Sequence, residues 1–161
     1  MPTRYSASER DWDNRHAVWN FKGGSCSLAV LNDLVKNVNQ IVGGQRKSDY
    51  VICFIPASTK SKTKTRYASV AQRLASITGV EATLSAITKT VDSASGYLSG
   101  KSCDPTADFS FNANLFRGKT VILIDDVITR GRTFCDTAEK LMSRGASEVI
   151  GLFVAKTVNP D

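Results

Sequence analysis

The chain has 161 residues and a formal net charge of +6, and 42% of its residues are hydrophobic and 22% are charged. A chain of this length is expected to form one domain with a core that needs no disulfide or metal for support. No apolar run approaches the ~18 residues needed to span a bilayer, and the polar N-terminus lacks the hydrophobic region of a signal peptide. These features predict a globular cytoplasmic protein without a membrane partner. The positive charge suits an anionic ligand or nucleic acid.

The four cysteines, Cys26, Cys53, Cys103 and Cys135, are widely spaced and form no C-x-x-C pair. A zinc site and a disulfide framework are therefore not expected. Cys53 lies in a predicted strand, where a free cysteine acts as a small core residue. The only histidine, His16, has no partners at metal-ligand spacing, and no role is assigned to it.

The first predicted element is a helix over residues 28–42. Residues 1–24 precede it, and they are polar with interspersed aromatic residues and no clear periodicity. Apolar residues then recur at helical spacing, and Gly43 follows the last of them. Ser25 or Ser27 is the expected N-cap. This helix is predicted to pack on the core.

A second stretch, residues 50–55, is continuously apolar and predicts a buried strand. It leads into residues 56–60, whose Ser, Thr and Lys side chains suit contacts with a ligand, although an ordinary strand-to-helix turn uses the same residue types. Basic residues then alternate with Ser and Thr up to Arg66, a pattern that is usually solvated. Apolar residues at helical spacing, namely Val70, Leu74 and Ile77, predict a helix that ends at Gly79.

The middle of the chain is less regular. Residues 80–87 predict a modest strand, and residues 88–115 form a long polar stretch rich in Ser, Thr, Gly, Asp and Asn. A loop longer than ~15 residues in a compact domain is either functional or disordered. With few apolar residues to anchor it, its central part, residues 93–106, is expected to be mobile without ligand.

The strongest pattern covers residues 121–133. Four apolar residues predict a strand buried on both faces, as in a parallel sheet, and Asp125 and Asp126 follow where this strand is expected to end. A short loop of Thr, Gly and Arg leads into a helix with apolar residues on one face, closed by Gly145. These apolar residues are Phe134, Ala138, Leu141 and Met142. Residues 148–154 predict the last strand.

This order of elements predicts a sugar-phosphate site. It places two carboxylates beside a helix N-terminus at the carboxyl edge of a sheet, where open α/β folds bind ligands. Backbone N–H groups of residues 129–133 can hold a phosphate, and Gly131 permits close backbone approach and positive φ. Asp125 and Asp126 can accept hydrogen bonds from vicinal ribose hydroxyls or contribute to a magnesium shell. The plainer alternative is a strand that ends in two acidic residues.

Residues 121–133 resemble the phosphoribosyl-pyrophosphate (PRPP) motif of type I phosphoribosyltransferases. The resemblance implies one α/β domain with a mostly parallel sheet of four or five strands and flanking helices. It also implies Mg²⁺-dependent transfer of the 5-phosphoribosyl group from PRPP to a nucleobase or amine. Arg130 and Arg132 depart from the small residues usual in this loop, and they either strengthen phosphate binding or point outward.

The resemblance also implies roles for individual residues. Asp125 and Asp126 would contact the ribose and magnesium and favour the charge that develops on the ribose during transfer. The loop that would bind the 5′-phosphate consists of Thr129, Arg130, Gly131, Arg132 and Thr133. The candidates for pyrophosphate contacts are Ser58, Thr59, Lys60, Arg66, Lys89 and Lys101, of which the last two lie in the segment where the family has a mobile loop. Residues 1–24 would be either the variable cap of the family, called the hood, or a docked tail.

Arg66 and Tyr67, with the basic segment before them and a helix after them, are similar to the ComF-like branch of the family, in which this segment is a basic loop. This similarity leaves open a second function, a non-catalytic sensor of PRPP or nucleotides in nucleic-acid uptake or metabolism. An enzyme needs a nucleobase pocket and a complete mobile loop, whereas a sensor needs only the phosphate and ribose sites. The sequence does not specify the acceptor, and a homodimer also remains open.

Overall fold

The protein is described by a computed structural model that covers residues 18, 20–91, 104–128 and 131–156. Its strands are β1 (Tyr50–Phe54), β2 (Glu81–Ala82), β3 (Ile87–Lys89), β4 (Phe109–Phe111), β5 (Thr120–Ile128) and β6 (Glu148–Lys156). Its long helices are α1 (Leu28–Val42), α2 (Lys60–Thr78) and α3 (Arg132–Ser143). The strands form a four-stranded sheet in the order β2-β1-β5-β6 and a two-stranded sheet of β3 and β4.

The centre of the larger sheet is the parallel pair β1 and β5, in which Ile52 lies opposite Ile122. Strand β5 also pairs in parallel with β6. Alternate side chains of the two central strands enter different core clusters because successive residues of a strand point to opposite faces. Ile52 and Ile122 pack with apolar residues of α1 and α2, whereas Cys53 and Leu123 pack with Leu141 of α3. This two-sided burial explains why both strands are continuously apolar.

The predicted fold class, an α/β domain with a parallel sheet and flanking helices, is confirmed. Helix α1 begins and ends where its pattern predicts, and the Ser27 hydroxyl caps it by accepting a hydrogen bond from the Val30 N–H at 3.3 Å. Cys53 is fully buried, as predicted. No helix within the described ranges is long and apolar enough to cross a membrane.

The basic segment before Tyr67 is helical, whereas the similarity to the ComF-like branch implies a loop there. Helix α2 begins at Lys60 because Thr59 caps it, accepting a hydrogen bond from the Lys62 N–H at 3.0 Å. Tyr67, Val70, Ala71 and Leu74 are buried along the same helix and anchor it to the core. Burial of this face stabilises helical structure even in a first turn with little apolar content.

The prediction of one strand over residues 80–87 was also wrong. Strand β2 ends at Ala82, the Thr83 N–H donates to the carbonyl of Ile52, and the chain then turns before it enters the second sheet at Ile87. Two apolar residues that were assigned to helix faces are largely exposed, Ile77 at 57% and Met142 at 47%. Sequence periodicity marks the helical face but not which of its edges the neighbouring elements cover.

The predicted long loop over residues 88–115 has structured ends. Strands β3 and β4 form an antiparallel pair, in which Lys89 lies opposite Phe109. Thr106 is fully buried, and its hydroxyl donates to Asp104 at 2.6 Å, which does not fit its prediction as part of a mobile stretch. Lys140 of α3 ties this turn down through Asp104 at 2.9 Å. Residues 92–103, which include Lys101, lie outside the described part of the chain.

Candidate active site

The acidic pair lies within β5 rather than after it. The strand continues through both aspartates to Ile128, which pairs with Lys156 of β6, so the predicted end of the strand was too early. Asp126 is buried, with 7% of its surface exposed, and Asp125 is partly buried. Two adjacent carboxylates in such a position need compensating groups, because burial of an unpaired charge is costly.

Asp125 is held by neutral donors. Its Oδ1 accepts a hydrogen bond from the Tyr67 hydroxyl at 3.2 Å and another from the Asp126 N–H at 2.8 Å. Burial and the neighbouring Asp126 carboxyl raise the pKa of Asp125 to about 7. Burial, followed by the Asp125 charge, also raises the pKa of Tyr67, so its hydroxyl remains a donor at neutral pH. Asp125 thus accepts two hydrogen bonds and has no ion-pair partner among the residues described.

Asp126 has a different environment, because two cations approach it. Its Oδ2 lies 3.3 Å from Lys22 Nζ and 3.7 Å from a terminal nitrogen of Arg66. The Arg66 side chain is mostly buried, lies over the ring of Tyr67 at 5.6 Å, and has an Nε without a hydrogen-bond partner in the described part of the structure. Opposite charges nearby favour the ionised carboxylate. The two acids therefore differ in character, because two cations approach Asp126, whereas burial and the neighbouring carboxyl raise the pKa of Asp125.

Residues 20–24 form a docked segment beside the acidic pair. The Phe21 side chain is 1% exposed and packs edge-on against the ring of Tyr67, with 6.0 Å between centroids. Gly24 has φ of 87°, and a Cβ there would lie 2.3 Å from the carbonyl oxygen of Thr65. Only glycine allows this close approach to α2. Residues 1–17 and Trp19 lie outside the described residues. For them, the hood and the docked tail both stay predictions.

The predicted phosphate loop leads directly into α3. Gly131 precedes the helix with φ of 73°, the positive value that the sequence allows for, and Arg132 is the first helical residue. Arg132 is exposed and pairs with Asp136 at 3.7 Å, which fits the outward alternative for this residue. Thr133 lies in the first turn. Thr129 and Arg130 fall outside the described residues.

The loop after β1 is closed by hydrogen bonds with the start of α2. The Thr63 hydroxyl accepts from the Ala57 N–H and donates to the carbonyl of Thr59, both at 2.9 Å. Lys89 Nζ donates to the carbonyl of Ser58 at 3.3 Å and pairs with Asp108 at 3.1 Å. Lys89 therefore joins the β3–β4 pair to this loop.

The predicted site residues do not form one cluster. Arg66 joins Asp125 and Asp126, whereas Lys60 and Lys89 line a separate cavity of about 500 Å³ whose apolar walls include Pro56, Leu84 and Ile87. Two functional candidates were missed, Lys22 and the Tyr67 hydroxyl. Tyr67 stands beside the basic segment in the sequence, but its partner Asp125 is 58 positions away. Nothing in the local pattern around Lys22 points to Asp126.

The parallel α/β sheet has an acidic pair in a central strand and a helix that begins after a glycine, an arrangement in which open α/β folds bind ligands. The family model described as "Phosphoribosyl transferase domain" matches residues 29–157, and the chain belongs to this family. None of the curated proteins compared with it matches the chain significantly.

Several solved structures have a similar fold. One comes from an analysis of an invariant aspartic acid in HPRTs and is the asparagine mutant. Its TM-score is 0.56 at 11% identity, and the match covers 89% of this chain and 78% of that chain. A hypoxanthine-guanine phosphoribosyltransferase from Bacillus anthracis has a TM-score of 0.50 at 12% identity, with coverages of 89% and 74%. At these identities the likeness establishes the fold alone.

The structure of the allosteric regulatory enzyme of purine biosynthesis is similar over 86% of this chain, with 19% identity and a TM-score of 0.48. This chain spans only 26% of the length of that enzyme.

Proposed function

We propose that this chain binds PRPP at the acidic pair and transfers its 5-phosphoribosyl group to a nucleobase or amine, with release of pyrophosphate. The observation that carries the proposal is the placement of Asp125 and Asp126 near the end of a central strand. Gly131 and the start of α3 follow shortly after them in the sequence. Family membership supports the same chemistry.

The acidic pair would bind the ribose. Asp126 lies beside the cations Lys22 and Arg66, and its oxygens can accept hydrogen bonds from vicinal hydroxyls. Asp125 is oriented by Tyr67 and can accept from the sugar as well. Negative charge placed here stabilises the cationic character that develops on the ribose as the bond to pyrophosphate lengthens.

The donor set also fits Mg²⁺. Magnesium is usually held by one or two carboxylates together with substrate phosphates, rather than by a cage made only of protein ligands. No cluster of three or more potential metal-binding side chains occurs among the described residues. Asp125, with its raised pKa and two neutral hydrogen-bond donors, is a carboxylate that a divalent cation would stabilise in the ionised form. When bound, Mg²⁺ would neutralise charge on the leaving pyrophosphate.

Two loops would hold the phosphates. The loop that ends at Gly131 would bind the 5′-phosphate through backbone N–H groups at the start of α3, where the helix dipole favours an anion. The loop after β1, with Ser58 and Thr59, lies at the start of α2 and would contact pyrophosphate together with Lys60. Lys89 would support this loop through the Ser58 carbonyl. Lys101 lies outside the described residues and stays a predicted contact of the pyrophosphate.

The reaction itself requires no protein nucleophile. The bond between C1 of the ribose and the pyrophosphate oxygen breaks, and a bond from C1 to the acceptor nitrogen forms. The chain's own contribution is to hold both phosphate groups, orient the sugar and stabilise charge.

A screen for pyrophosphate release from PRPP and Mg²⁺, with a panel of nucleobases and amines, tests the proposed function. Release that depends on one acceptor, together with formation of the matching phosphoribosyl product, is the expected result. Binding of PRPP without release with any acceptor would favour the sensor instead. Absence of PRPP binding would contradict both functions.

A further inference from the structure

Lys22 reaches the acidic pair from the docked segment, residues 20–24. We propose that Lys22 is a donor-binding residue whose ammonium group binds the pyrophosphate of PRPP beside Asp126. The inference rests on the proposed function and adds a contact to that site, from a part of the chain that precedes the region matched to the family, residues 29–157.

The position of Lys22 is set by groups other than Lys22. Phe21 is buried against Tyr67, Gly24 lies against the backbone of α2 at Thr65, and Arg73 donates to the carbonyl of Cys26 at 3.4 Å. These contacts on both sides of Lys22 hold the segment on α2. The ion pair with Asp126 is therefore a consequence of the docking and is not needed to produce it.

The exposure of the Lys22 side chain in its ion pair with Asp126 favours a role in ligand binding over a structural role. The Lys22 side chain is 47% exposed, whereas that of Asp126 is 10% exposed and that of Arg66 is 17% exposed. Solvent screens a pair with an exposed cation more than it screens a fully buried pair. Asp126 already has Arg66 as a mostly buried counter-charge, so the half-exposed ammonium group of Lys22 can bind a strongly anionic ligand without leaving Asp126 unpaired.

The geometry of the donor identifies which of its groups Lys22 meets. In PRPP the pyrophosphate is attached to C1, next to the 2-hydroxyl, and the 5′-phosphate lies at the opposite end of the sugar. Under the proposed function Asp126 accepts from the ribose hydroxyls, and the 5′-phosphate binds at Gly131. A cation 3.3 Å from Asp126 Oδ2 then lies on the pyrophosphate side. An ammonium group carries three donors, so Lys22 can keep Asp126 as a partner while it binds a phosphate oxygen.

The test uses the full chain with Lys22→Gln, and Lys36→Gln as the matched control. Lys36 is exposed on α1, so the control removes the same charge away from the site. Calorimetry with Mg²⁺ measures the Kd for PRPP and for ribose 5-phosphate, which lacks the pyrophosphate. Loss of one charge-assisted contact predicts that K22Q raises the Kd for PRPP by about tenfold and leaves that for ribose 5-phosphate within about twofold of wild type. The control is expected to change neither Kd.

A second variant keeps the lysine and moves it. Gly24→Ala places a Cβ 2.3 Å from the Thr65 carbonyl oxygen at a positive φ, which displaces the segment from α2. It is expected to weaken PRPP binding in the same selective way as K22Q. Loss of selectivity, with both ligands weakened equally in K22Q, would overturn the inference, because Lys22 would then act only by holding Asp126.

An unchanged Kd for PRPP in K22Q would overturn it as well. Wild-type protein that binds no PRPP would overturn the proposed function together with this inference. That result is distinct from wild-type binding of PRPP that K22Q does not alter, which leaves the proposed function in place.

Discussion

The hydroxyl of Tyr67 donates a hydrogen bond of 3.2 Å to Oδ1 of Asp125, and so joins α2 to the central strand at the acidic pair. The tyrosine ring is fully buried, with Phe21 edge-on at 6.0 Å and Phe54 at 4.8 Å. Since this packing fixes the ring, it also fixes the hydroxyl. A cluster of core aromatics thus orients a carboxylate of the candidate active site.

Tyr67→Phe keeps the ring and removes the hydrogen bond. We expect it to lower the free energy of unfolding by about 1 kcal/mol, and by more at about pH 8 than at about pH 5, because a charged acceptor makes the stronger bond. Urea unfolding at the two pH values measures this. Tyr50→Phe, at the opposite end of the strands, is the control. Equal losses in the two variants would show that the hydroxyl of Tyr67 does not stabilise Asp125.

Asp125→Asn is expected to stabilise the protein at high pH. The native pKa is about 7, against about 3.9 in an unfolded chain. Between these values the native state holds a proton that the unfolded state has released, so wild-type stability falls as pH rises from about 4 to about 7. Asparagine does not titrate, and its amide oxygen can still accept from Tyr67 and from the backbone.

The free energy of unfolding of the variant, relative to that of wild type, should therefore increase with rising pH. We expect a difference on the order of 2 kcal/mol at about pH 8. This is less than the full pKa shift would give, because water and nearby groups relax around a buried charge. Urea unfolding from about pH 4 to about pH 8 measures the difference. Asp33→Asn, at an exposed position on α1, serves as the control. A difference between variant and wild type that is constant with pH would contradict the prediction.

Gly131→Val is expected to weaken binding of ribose 5-phosphate. A β-branched residue disfavours the φ of 73° and blocks backbone approach to a phosphate. Gly118 provides a matched control, because its φ is 74° and it lies in the turn before β5, at the other edge of the sheet. Both valine variants should lose roughly 1–2 kcal/mol of stability from backbone strain.

The two glycine variants should differ in their response to ligand. Ribose 5-phosphate should raise the Tm of wild type and of Gly118→Val but not that of Gly131→Val, since a ligand stabilises only the protein that binds it. Equal protection of both variants would place the phosphate site elsewhere in the molecule.

The parts of the fold that sequence predicted are those with a local signal. Strand β5 was found because both of its faces are buried, which makes residues 121–124 continuously apolar. The Ser27 cap was found because capping involves residues only a turn apart. The start of α2 was missed because its first turn is polar, and its helical structure depends on Thr59 and on the buried face that begins at Tyr67.

The candidate site divides in the same way. The acidic pair and Gly131 belong to one contiguous motif, so their placement could be predicted. Lys22 and Tyr67 come to the acids through the docking of other segments, and no local pattern encodes that approach. Their contribution depends on tertiary packing, which a single sequence does not display.

Calorimetry of PRPP binding with Mg²⁺, in wild type and in the double variant Asp125→Asn with Asp126→Asn, tests the central claim most directly. Circular dichroism first checks that the double variant keeps its fold. Two carboxylates that hold the ribose and the metal predict at least about a hundredfold loss of affinity, since each charged contact contributes about 1.5–3 kcal/mol. Wild type should bind PRPP, and the folded double variant should not. Unchanged PRPP affinity in the double variant would contradict the assignment of the site to the acidic pair.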